Sequence, residues 1–373
     1  MRRVLVTGAD GFVGQNLCQR LGERKDVLLA KMTRSTPVAE ALALVRASDV
    51  VVHLAGANRP EDPADFSRVN AELTRWLIEA VGSAVRNDRS PPVIVFSSSI
   101  QASLDNPYGR SKRAAEEELL AAGERGTLVP RIFRLPNVFG KWSRPNYNSV
   151  VATFCHNIAR GLPIRVTNPM APLQLVYVDD VVGAFMEVID RSMGETPWME
   201  VSPRYETTVG AVADHIRGFA ASRETLVIDR VGTGFLRALY ATYVSYLPTD
   251  GFAYSVAVHA DRRGEFVEML KTPDCGQWSY FTAHPGVTRG GHYHHTKSEK
   301  FLVIRGSARF RFRHLQTGDE YVLNTIGGTP MIVESIPGWT HDVTNVGEGE
   351  LLVMLWANEI FDRSRPDTVA CPL

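Results

Sequence analysis

The chain has 373 residues, and its 41 lysines and arginines balance 41 aspartates and glutamates. That length implies two or three domains, each with its own core, and a net charge of zero removes the basic field that nucleic acid or an anionic membrane surface would require. No apolar run approaches the roughly 20 residues of a membrane span, no secretory leader precedes the first strand, and Cys18, Cys155, Cys275 and Cys371 lie scattered without CxxC spacing. A cytoplasmic protein with reduced thiols is expected.

Val4-Leu-Val-Thr7 reads as a buried strand, followed at once by Gly8-Ala-Asp10-Gly11-Phe12-Val13-Gly14 and then a helical pattern through Asn16, Leu17 and Leu21. A strand, a glycine turn and a helix in this order cradle a pyrophosphate on backbone N–H groups at the helix N-terminus, where absent side chains let backbone and phosphate approach. The motif alone is weak, because any tight turn is glycine-rich; its position directly after a strand strengthens it. A second strand is expected near Val27–Lys31. Beyond it, where an NAD site places an acid on the ribose 2′-hydroxyl, the chain reads Ala30-Lys31-Met32-Thr33-Arg34-Ser35. A guanidinium and a hydroxyl suit a 2′-phosphate, so NADPH is expected over NADH, with Arg34 as its selector unless Arg34 is plain surface charge.

Only one helix fits between that strand and the next, Asp49-Val-Val-Val-His53, so one strand of the usual sheet is expected to be contracted or missing. Further strands at Val93–Ser97 and Arg131–Arg134, with helical patterns at Ala64–Val85 and Tyr108–Ala121, predict a parallel, doubly wound α/β sheet. The catalytic signal is Tyr108-Gly-Arg-Ser-Lys112 behind Ser97-Ser98-Ser99. Tyrosine and lysine four apart share a helical face, and a lysine cation beside a phenol lowers its pKa toward use as a proton donor. Without the preceding strand and glycine turn, the same five residues describe an ordinary amphipathic helix.

These residues, with His53-Leu-Ala-Gly56 and Tyr177-Val-Asp179-Asp180-Val181, resemble the extended short-chain dehydrogenase/reductase family over about residues 1–245. The resemblance implies a Rossmann-type fold with Tyr108 as the acid and Lys112 on the nicotinamide ribose. It implies Ser99 as the oxygen-holding residue, Leu54, Ala55, Gly56 and Pro136 beside the cofactor, and Asn137 bordering the nicotinamide and substrate. The step from Ser99 to Tyr108 is shorter than the family's, which leaves Ser97, Ser98 and Ser103 as alternatives. Leu173-Gln174 stand where many nucleotide-sugar members carry a diphosphate-binding arginine, with Arg144 and Arg165 as weak substitutes. Ile100-Gln101 replace the Asp-Glu pair of sugar dehydratases, so the first domain reads as a simple reductase.

Leu236–Leu247 is apolar and aromatic, and Pro248-Thr-Asp-Gly251 breaks it, which sets the expected boundary: residues 1–247, then 248–373. From Phe252 onward short β-rich segments predict a small β-barrel, clearest at Phe301–Ile304, Ala308–Arg313 and Leu351–Trp356. Trp278, Tyr280, Trp339 and Trp356 are expected in its core or rim. Within it, Gly286-Val-Thr-Arg-Gly-Gly-His292-Tyr-His294-His-Thr-Lys-Ser-Glu299 reads as a metal site, since alternate strand residues share a face. His341, in Pro337-Gly338-Trp-Thr-His341, is the fourth candidate. Three imidazoles and a carboxylate suit zinc, with manganese, iron or nickel as alternatives.

G-x5-H-x-H-x4-E-x6-G followed by G-xx-H-xxx-N resembles the two motifs of the cupin superfamily, with Pro337 directly before Gly338 as a departure. Asp261–Glu268 and Arg289-Gly-Gly-His292 resemble cupin-fold nucleotide-sugar 3,5-epimerases, in which a base removes the proton beside a ketone; Tyr293, His295, Lys297 and His314 are candidates for it. Ser-Ser-Ser-Ile-Gln, Asn-Pro-Tyr-Gly-x-Ser-Lys, Asn-Val-Phe-Gly-Lys-Trp and Arg-Gly-Gly-His-Tyr-His-His extend the resemblance over nearly the whole chain, to the bifunctional epimerase/reductases of UDP-N-acetyl-L-fucosamine synthesis in capsule and O-antigen pathways. That resemblance implies a UDP-2-acetamido-2,6-dideoxy-hexos-4-ulose substrate, C3 inversion by the cupin, NADPH-dependent C4 reduction to UDP-2-acetamido-2,6-dideoxy-L-talose, zinc and a homodimer. A single-activity NADPH reductase with a structural, dimerising cupin is the alternative enzyme. A non-catalytic NADP(H) sensor is the alternative from another class, disfavoured because a sensor needs no proton donor.

Overall fold

The structure, a computed structural model, describes residues 1–58, 62, 66–83, 90–191, 196–261, 264–266, 269–272, 276–359, 362 and 364–373. By contact it divides into two compact units, Met1–Val138 with Gln174–Glu206, and Phe139–Leu173 with Thr207–Leu373. No helix among the described residues is long and apolar enough to cross a membrane.

The first unit holds a six-stranded parallel sheet. Its strands are β1 (Arg2–Thr7), β2 (Val27–Met32), β3 (Val50–His53), β4 (Val93–Ser99), β5 (Val129–Leu135) and β6 (Trp198–Met199), in the order β2-β1-β3-β4-β5-β6. Helices cover both faces, so the central strands carry continuous apolar runs rather than alternating ones: Val4, Leu5, Val6 and Val50, Val51, Val52 are fully buried. One face packs Leu5, Val51, Ile94 and Ile132 against Val45 of α2 (Val38–Ala47), Leu77 of α3 (Leu73–Gly82) and Leu119 of α4 (Pro107–Glu124). Each such aliphatic burial contributes roughly 1.5–3 kcal/mol. Helix α2 is the only element between β2 and β3, so the sheet lacks the outer strand that its contracted connection cannot supply. In the expected helix over 64–85, the structure describes a π-helical turn at Ser67–Glu72 leading into α3, and its outermost residues lie outside the described set.

The second unit combines helices α5 (Val150–Ile158), α7 (Val209–Thr225) and α8 (Gly234–Val244) with two antiparallel sheets; α6 (Val178–Asp190) belongs to the first unit. The strands are β7 (Ala253–Ser255), β8 (Gln277–Ala283), β9 (Thr288–Tyr293), β10 (Glu299–Arg305), β11 (Ser307–His314), β12 (Glu320–Ile326), β13 (Met331–Glu334), β14 (Trp339–Asn345), β15 (Leu351–Ala357) and β16 (Val369–Ala370). One sheet runs β7-β13-β10-β15-β8 and the other β12-β11-β14-β9-β16. Phe301, Phe310, Phe312, Val343, Val353 and Trp356 fill the core, while Trp278 and Tyr280 sit exposed on the rim. All seven residues of β14 are buried, polar ones included, so this strand's side chains must find partners inside.

Polar contacts tie α7 and α8 to the sheets. Lys300 and Glu334, both buried, form an ion pair; Arg223 Nη1 lies 3.3 Å from Glu334 Oε2, and Tyr240 donates to Glu334 Oε1 at 3.5 Å. Burial pushes the Tyr240 phenol up, and the Glu334 carboxylate, opposed by burial, is held down by Lys300 and Arg223. Removing one partner of such a pair strands a buried charge, at a cost of about 3–5 kcal/mol. The residues before and after position 247 therefore share one polar core.

Candidate active site and metal centre

Gly8 has φ +65°, and a Cβ there would lie 2.7 Å from the Ala55 nitrogen. At Gly14 a Cβ would meet the Gly8 carbonyl at 2.2 Å, so helix α1 (Phe12–Gly22) can approach the strand only without a side chain. Gly11 caps α1 with no side-chain hydrogen bond. The exposed Asp10 and Gly11 and the half-buried Phe12 and Val13 thus border a helix N-terminus whose amides suit a dinucleotide's pyrophosphate. Arg34 lies exposed two residues beyond β2, next to Ser35, whose hydroxyl pairs with Thr33 at 2.9 Å.

Leu54, Ala55 and Gly56 follow β3. The Leu54 and Ala55 N–H groups both donate to Thr7 Oγ1 at 3.2 Å, and that oxygen lies 2.8 Å from His53 Nδ1. Having accepted two N–H bonds, the Thr7 hydroxyl donates to Nδ1, which places the ring proton on Nε2, 3.0 Å from Thr74 Oγ1. Burial, with Lys112 nearby, pushes His53 down to about 3, so the ring is neutral. It acts as a fixed spacer setting the end of β3.

Asn106 caps α4, its Oδ1 accepting from Gly109 N at 2.7 Å, with Pro107 in the first turn. That start brings Tyr108 within hydrogen-bonding contact of Ser99. Two of the other candidate hydroxyls are engaged elsewhere: Ser98 Oγ donates to Glu116 at 2.5 Å and Ser103 Oγ to the Ile100 carbonyl at 2.8 Å, while the Ser97 backbone carbonyl accepts from Lys112 Nζ at 2.9 Å. Burial pushes the Tyr108 phenol above its ordinary value and the Ser99 hydrogen bond pulls it partly back; Lys112 is not among the causes. The lowering of Tyr108 by Lys112 expected from the sequence is therefore absent, because the ammonium points to the Ser97 carbonyl. The phenol stays protonated at neutral pH, as a proton donor must. Burial also brings Lys112 down to about 8, against a pull upward from Glu116. Pro136 is buried and Asn137 exposed, directly after β5.

Two supporting residues gave no sequence signal. Asn70, in the π-helical turn, accepts from Ala57 N at 2.9 Å and donates to Ser111 Oγ at 3.0 Å, while Ser111 donates to the Tyr108 carbonyl at 2.8 Å. Glu116, 1 % exposed, receives Ser98 and both Arg134 Nε and Nη2, at 2.9 and 2.6 Å. The latter sits one helical turn beyond Lys112, a spacing visible in the sequence only once α4 is known to be buried on that side.

In the second unit, His292, His294, Glu299 and His341 place one ligand atom each within 4.8 Å of all the others. His292 pairs across the ladder with His341, after the Gly290/His292 irregularity re-aims β9. His294 lies one residue past β9, and Glu299 opens β10. Glu299 Oε2 stands 3.0 Å from His294 Nε2 and 3.3 Å from His341 Nε2. Burial lowers His292 to about 4, helped by its two imidazole neighbours, and burial likewise lowers His341; Glu299, opposed by burial, is held well below its ordinary value by His294 and His341. A divalent ion takes imidazole nitrogens and a carboxylate as ligands, so the donor set fits zinc in ligand type and spacing. Gly338 has φ +89°, and the Pro337-Gly338 departure leaves His341 in place. Of the base candidates, Lys297 Nζ lies 3.3 Å from Glu299 Oε1, whereas His314 is engaged by Trp142 Nε1 at 3.2 Å and Thr317 N at 3.0 Å. Tyr293 and His295 are buried. Of the Asp261–Glu268 segment, Arg262, Arg263, Val267 and Glu268 lie outside the described residues.

Comparison with known proteins agrees with both halves. Residues 4–197 match the NAD dependent epimerase/dehydratase family, and residues 259–369 match the polysaccharide biosynthesis C-terminal domain. The chain is 56% identical over 369 residues to UDP-2-acetamido-2,6-beta-L-arabino-hexul-4-ose reductase of Pseudomonas aeruginosa, covering 99% of this chain and 98% of that one. The solved structure of the capsular polysaccharide assembling protein CapF from Staphylococcus aureus covers both chains completely, with a TM-score of 0.67 and 37% identity. The Bordetella bronchiseptica enzyme WbmF in complex with NAD+, 22% identical with a TM-score of 0.51, shares the fold over 59% of this chain and 77% of its own. The parallel Rossmann-type sheet, the match over residues 4–197 and the end-to-end relative thus place this chain in the NAD dependent epimerase/dehydratase family, as a member that also carries a cupin-type polysaccharide biosynthesis C-terminal domain.

Proposed function

We propose that the protein reduces the 4-ketone of a UDP-sugar in capsular or related polysaccharide synthesis, and that it first inverts C3 of the same sugar at the cupin. The observation that carries the reduction is the half-buried, protonated Tyr108 joined to Ser99 with Lys112 one turn on, in a chain aligned end to end with a UDP-ketosugar reductase. Ser99 holds the ketone oxygen, Tyr108 protonates it, and Lys112 holds the nicotinamide ribose. When bound, the dinucleotide supplies the hydride. Residues Gly8, Asp10, Gly11, Phe12, Val13, Gly14, Leu54, Ala55, Gly56 and Pro136 line its path, with Asn137 toward the sugar.

The C3 step is supported by the His292-His294-Glu299-His341 cluster and by chemistry. A C3 proton is acidic only while C4 is a ketone, so epimerisation must precede reduction. A divalent ion, zinc by its donor set, supplies Lewis-acid polarisation of the ketone when bound. The substrate is proposed as UDP-2-acetamido-2,6-dideoxy-hexos-4-ulose and the product as UDP-2-acetamido-2,6-dideoxy-L-talose, made by a homodimer in which residues 1–247 reduce and residues 248–373 epimerise. Incubating the full chain with the UDP-4-keto sugar in D2O tests the reading: deuterium should enter C3 without NADPH, and NADPH should then be consumed. Absence of exchange alongside intact reduction would leave a single-activity reductase with a dimerising cupin.

NADPH is proposed over NADH because Arg34 and Ser35 stand beyond β2 where a carboxylate would exclude a 2′-phosphate. Arg34→Ala should weaken NADPH binding by about 1.5–3 kcal/mol, the scale of a hydrogen bond to a charged group, and leave NADH nearly unchanged. Fluorescence titration with both cofactors checks this, and equal losses would assign Arg34 a structural role.

Lys112 adds a pH dependence. Its folded-state value of about 8 lies below the ordinary lysine value, so the cation is present below pH 8 and is lost as pH rises through it. The kcat/KM for NADPH, which reports the free enzyme, should fall above about pH 8. A flat profile from pH 7 to about 9.5 would contradict a charged role for Lys112.

A further inference from the structure

The metal ligands are braced by a segment far from them in sequence. Strand β16 pairs antiparallel with β9, Ala370 opposite His292 and Val369 opposite Tyr293. Beyond it, Cys371 N donates to the Gly291 carbonyl at 2.7 Å, and Arg313 Nη2 donates to the Pro372 carbonyl at 2.9 Å. Just before it stands Asp367. Its carboxylate accepts from the backbone N–H groups of His295, Thr296 and Lys297 at 2.9, 2.7 and 2.8 Å, and from the Thr296 hydroxyl at 2.9 Å. These residues form the turn between the ligands His294 and Glu299, and the whole turn is buried. The Asp367 carbonyl oxygen lies 2.5 Å from His294 Nδ1. A carbonyl only accepts, so Nδ1 carries a proton, and in the neutral ring that a metal requires the lone pair sits on Nε2, the atom facing Glu299.

We propose that Asp367 is the positioning residue of the metal centre, and that docking of this tail and metal binding are coupled. Its carboxylate sets the path from His294 to Glu299, and its carbonyl sets the tautomer of His294. Without the carboxylate, three N–H groups of a buried turn lose their acceptor, and the two ligands that flank the turn lose their spacing. Linkage makes the effect reciprocal: whatever the docked tail adds to metal affinity, the metal returns to the docking of the tail. The inference rests on the metal reading above.

The test uses the full chain and cobalt(II) alone, whose d–d absorption bands report ligand geometry. Asp367→Ala should weaken cobalt binding about 10- to 100-fold, the range for outer-shell partners of metal ligands, and should shift the bands. Asp367→Asn, which keeps one acceptor oxygen, should recover part of the affinity, and it carries the test if the alanine variant fails to fold. In the wild type, removing the metal with a chelator should speed amide deuterium exchange at His295–Lys297 and Cys371. Variants that bind cobalt within about twofold of wild type, inside the noise of a lost outer-shell contact, would overturn the inference, as would weaker binding with unaltered bands and unaltered exchange. A wild type that takes up no cobalt would instead overturn the metal reading, and this inference with it.

Discussion

Tyr108→Phe should lower NADPH-dependent ketone reduction by about 10²-fold or more, the usual contribution of a positioned general acid, while NADPH binding survives. The geometry makes the substitution clean. The phenol is the group whose proton burial retains, and its hydroxyl meets Ser99 rather than a backbone partner that holds α4 in place. The helix start is secured separately, by Asn106 on Gly109 and by Ser111 on the Tyr108 carbonyl. Removing one oxygen therefore removes the proton donor and leaves the fold of the site. Deuterium should still enter C3 of the UDP-4-keto sugar in this variant, because the exchange is assigned to the cupin. Stopped-flow NADPH oxidation beside mass spectrometry of the sugar measures both. Near wild-type oxidation would take Tyr108 out of the mechanism, and loss of exchange together with reduction would break the division of labour.

His294→Ala should do the reverse: abolish C3 exchange and reduce bound metal from about one ion per chain to a small fraction, while a pre-epimerised ketone is still reduced. His294, a proposed ligand, is buried with both nitrogens facing polar partners, Nε2 toward Glu299 and Nδ1 to the Asp367 carbonyl. Losing it would remove one of the four proposed donors and leave the Asp367 carbonyl without its donor. Because the ion binds the folded state, its loss also removes stabilisation of about 4 kcal/mol at a thousandfold excess of metal over Kd. Elemental analysis and metal-dependent thermal unfolding check this. Full C3 exchange by a metal-free preparation would contradict any role for the ion in that step.

Several features could be read from local sequence because their physics is local. The glycine turn after β1 is legible since a phosphate-binding helix start must lack side chains at fixed intervals, and Gly8 and Gly14 leave no room for a Cβ. The runs Val4–Val6 and Val50–Val52 announce strands covered on both faces. His292, His294 and Glu299 are separated by a few residues, so strand geometry alone brings them close; His341 joins them through the β9–β14 ladder, which a motif can suggest but not build.

Tertiary structure decided what depends on distant partners. Four serines precede Tyr108 within a dozen residues, and only the folded chain shows Ser98 taken by Glu116 and Ser99 meeting the phenol. The sign of the Tyr108 shift was misjudged from the sequence because YxxxK spacing records proximity along a helix. It does not record burial, or the Ser97 carbonyl that draws the Lys112 ammonium. Asp367 lies about seventy residues from the turn it caps, and Glu334 more than a hundred from Arg223, so neither pairing leaves a local pattern. Sequence by itself determined which elements form and which donor chemistries are present, since hydrophobic period, glycine placement and ligand type act over a few residues. Protonation state, hydrogen-bond partner and tautomer were decided only by the fold, because each depends on burial and on groups that the chain brings together from far apart.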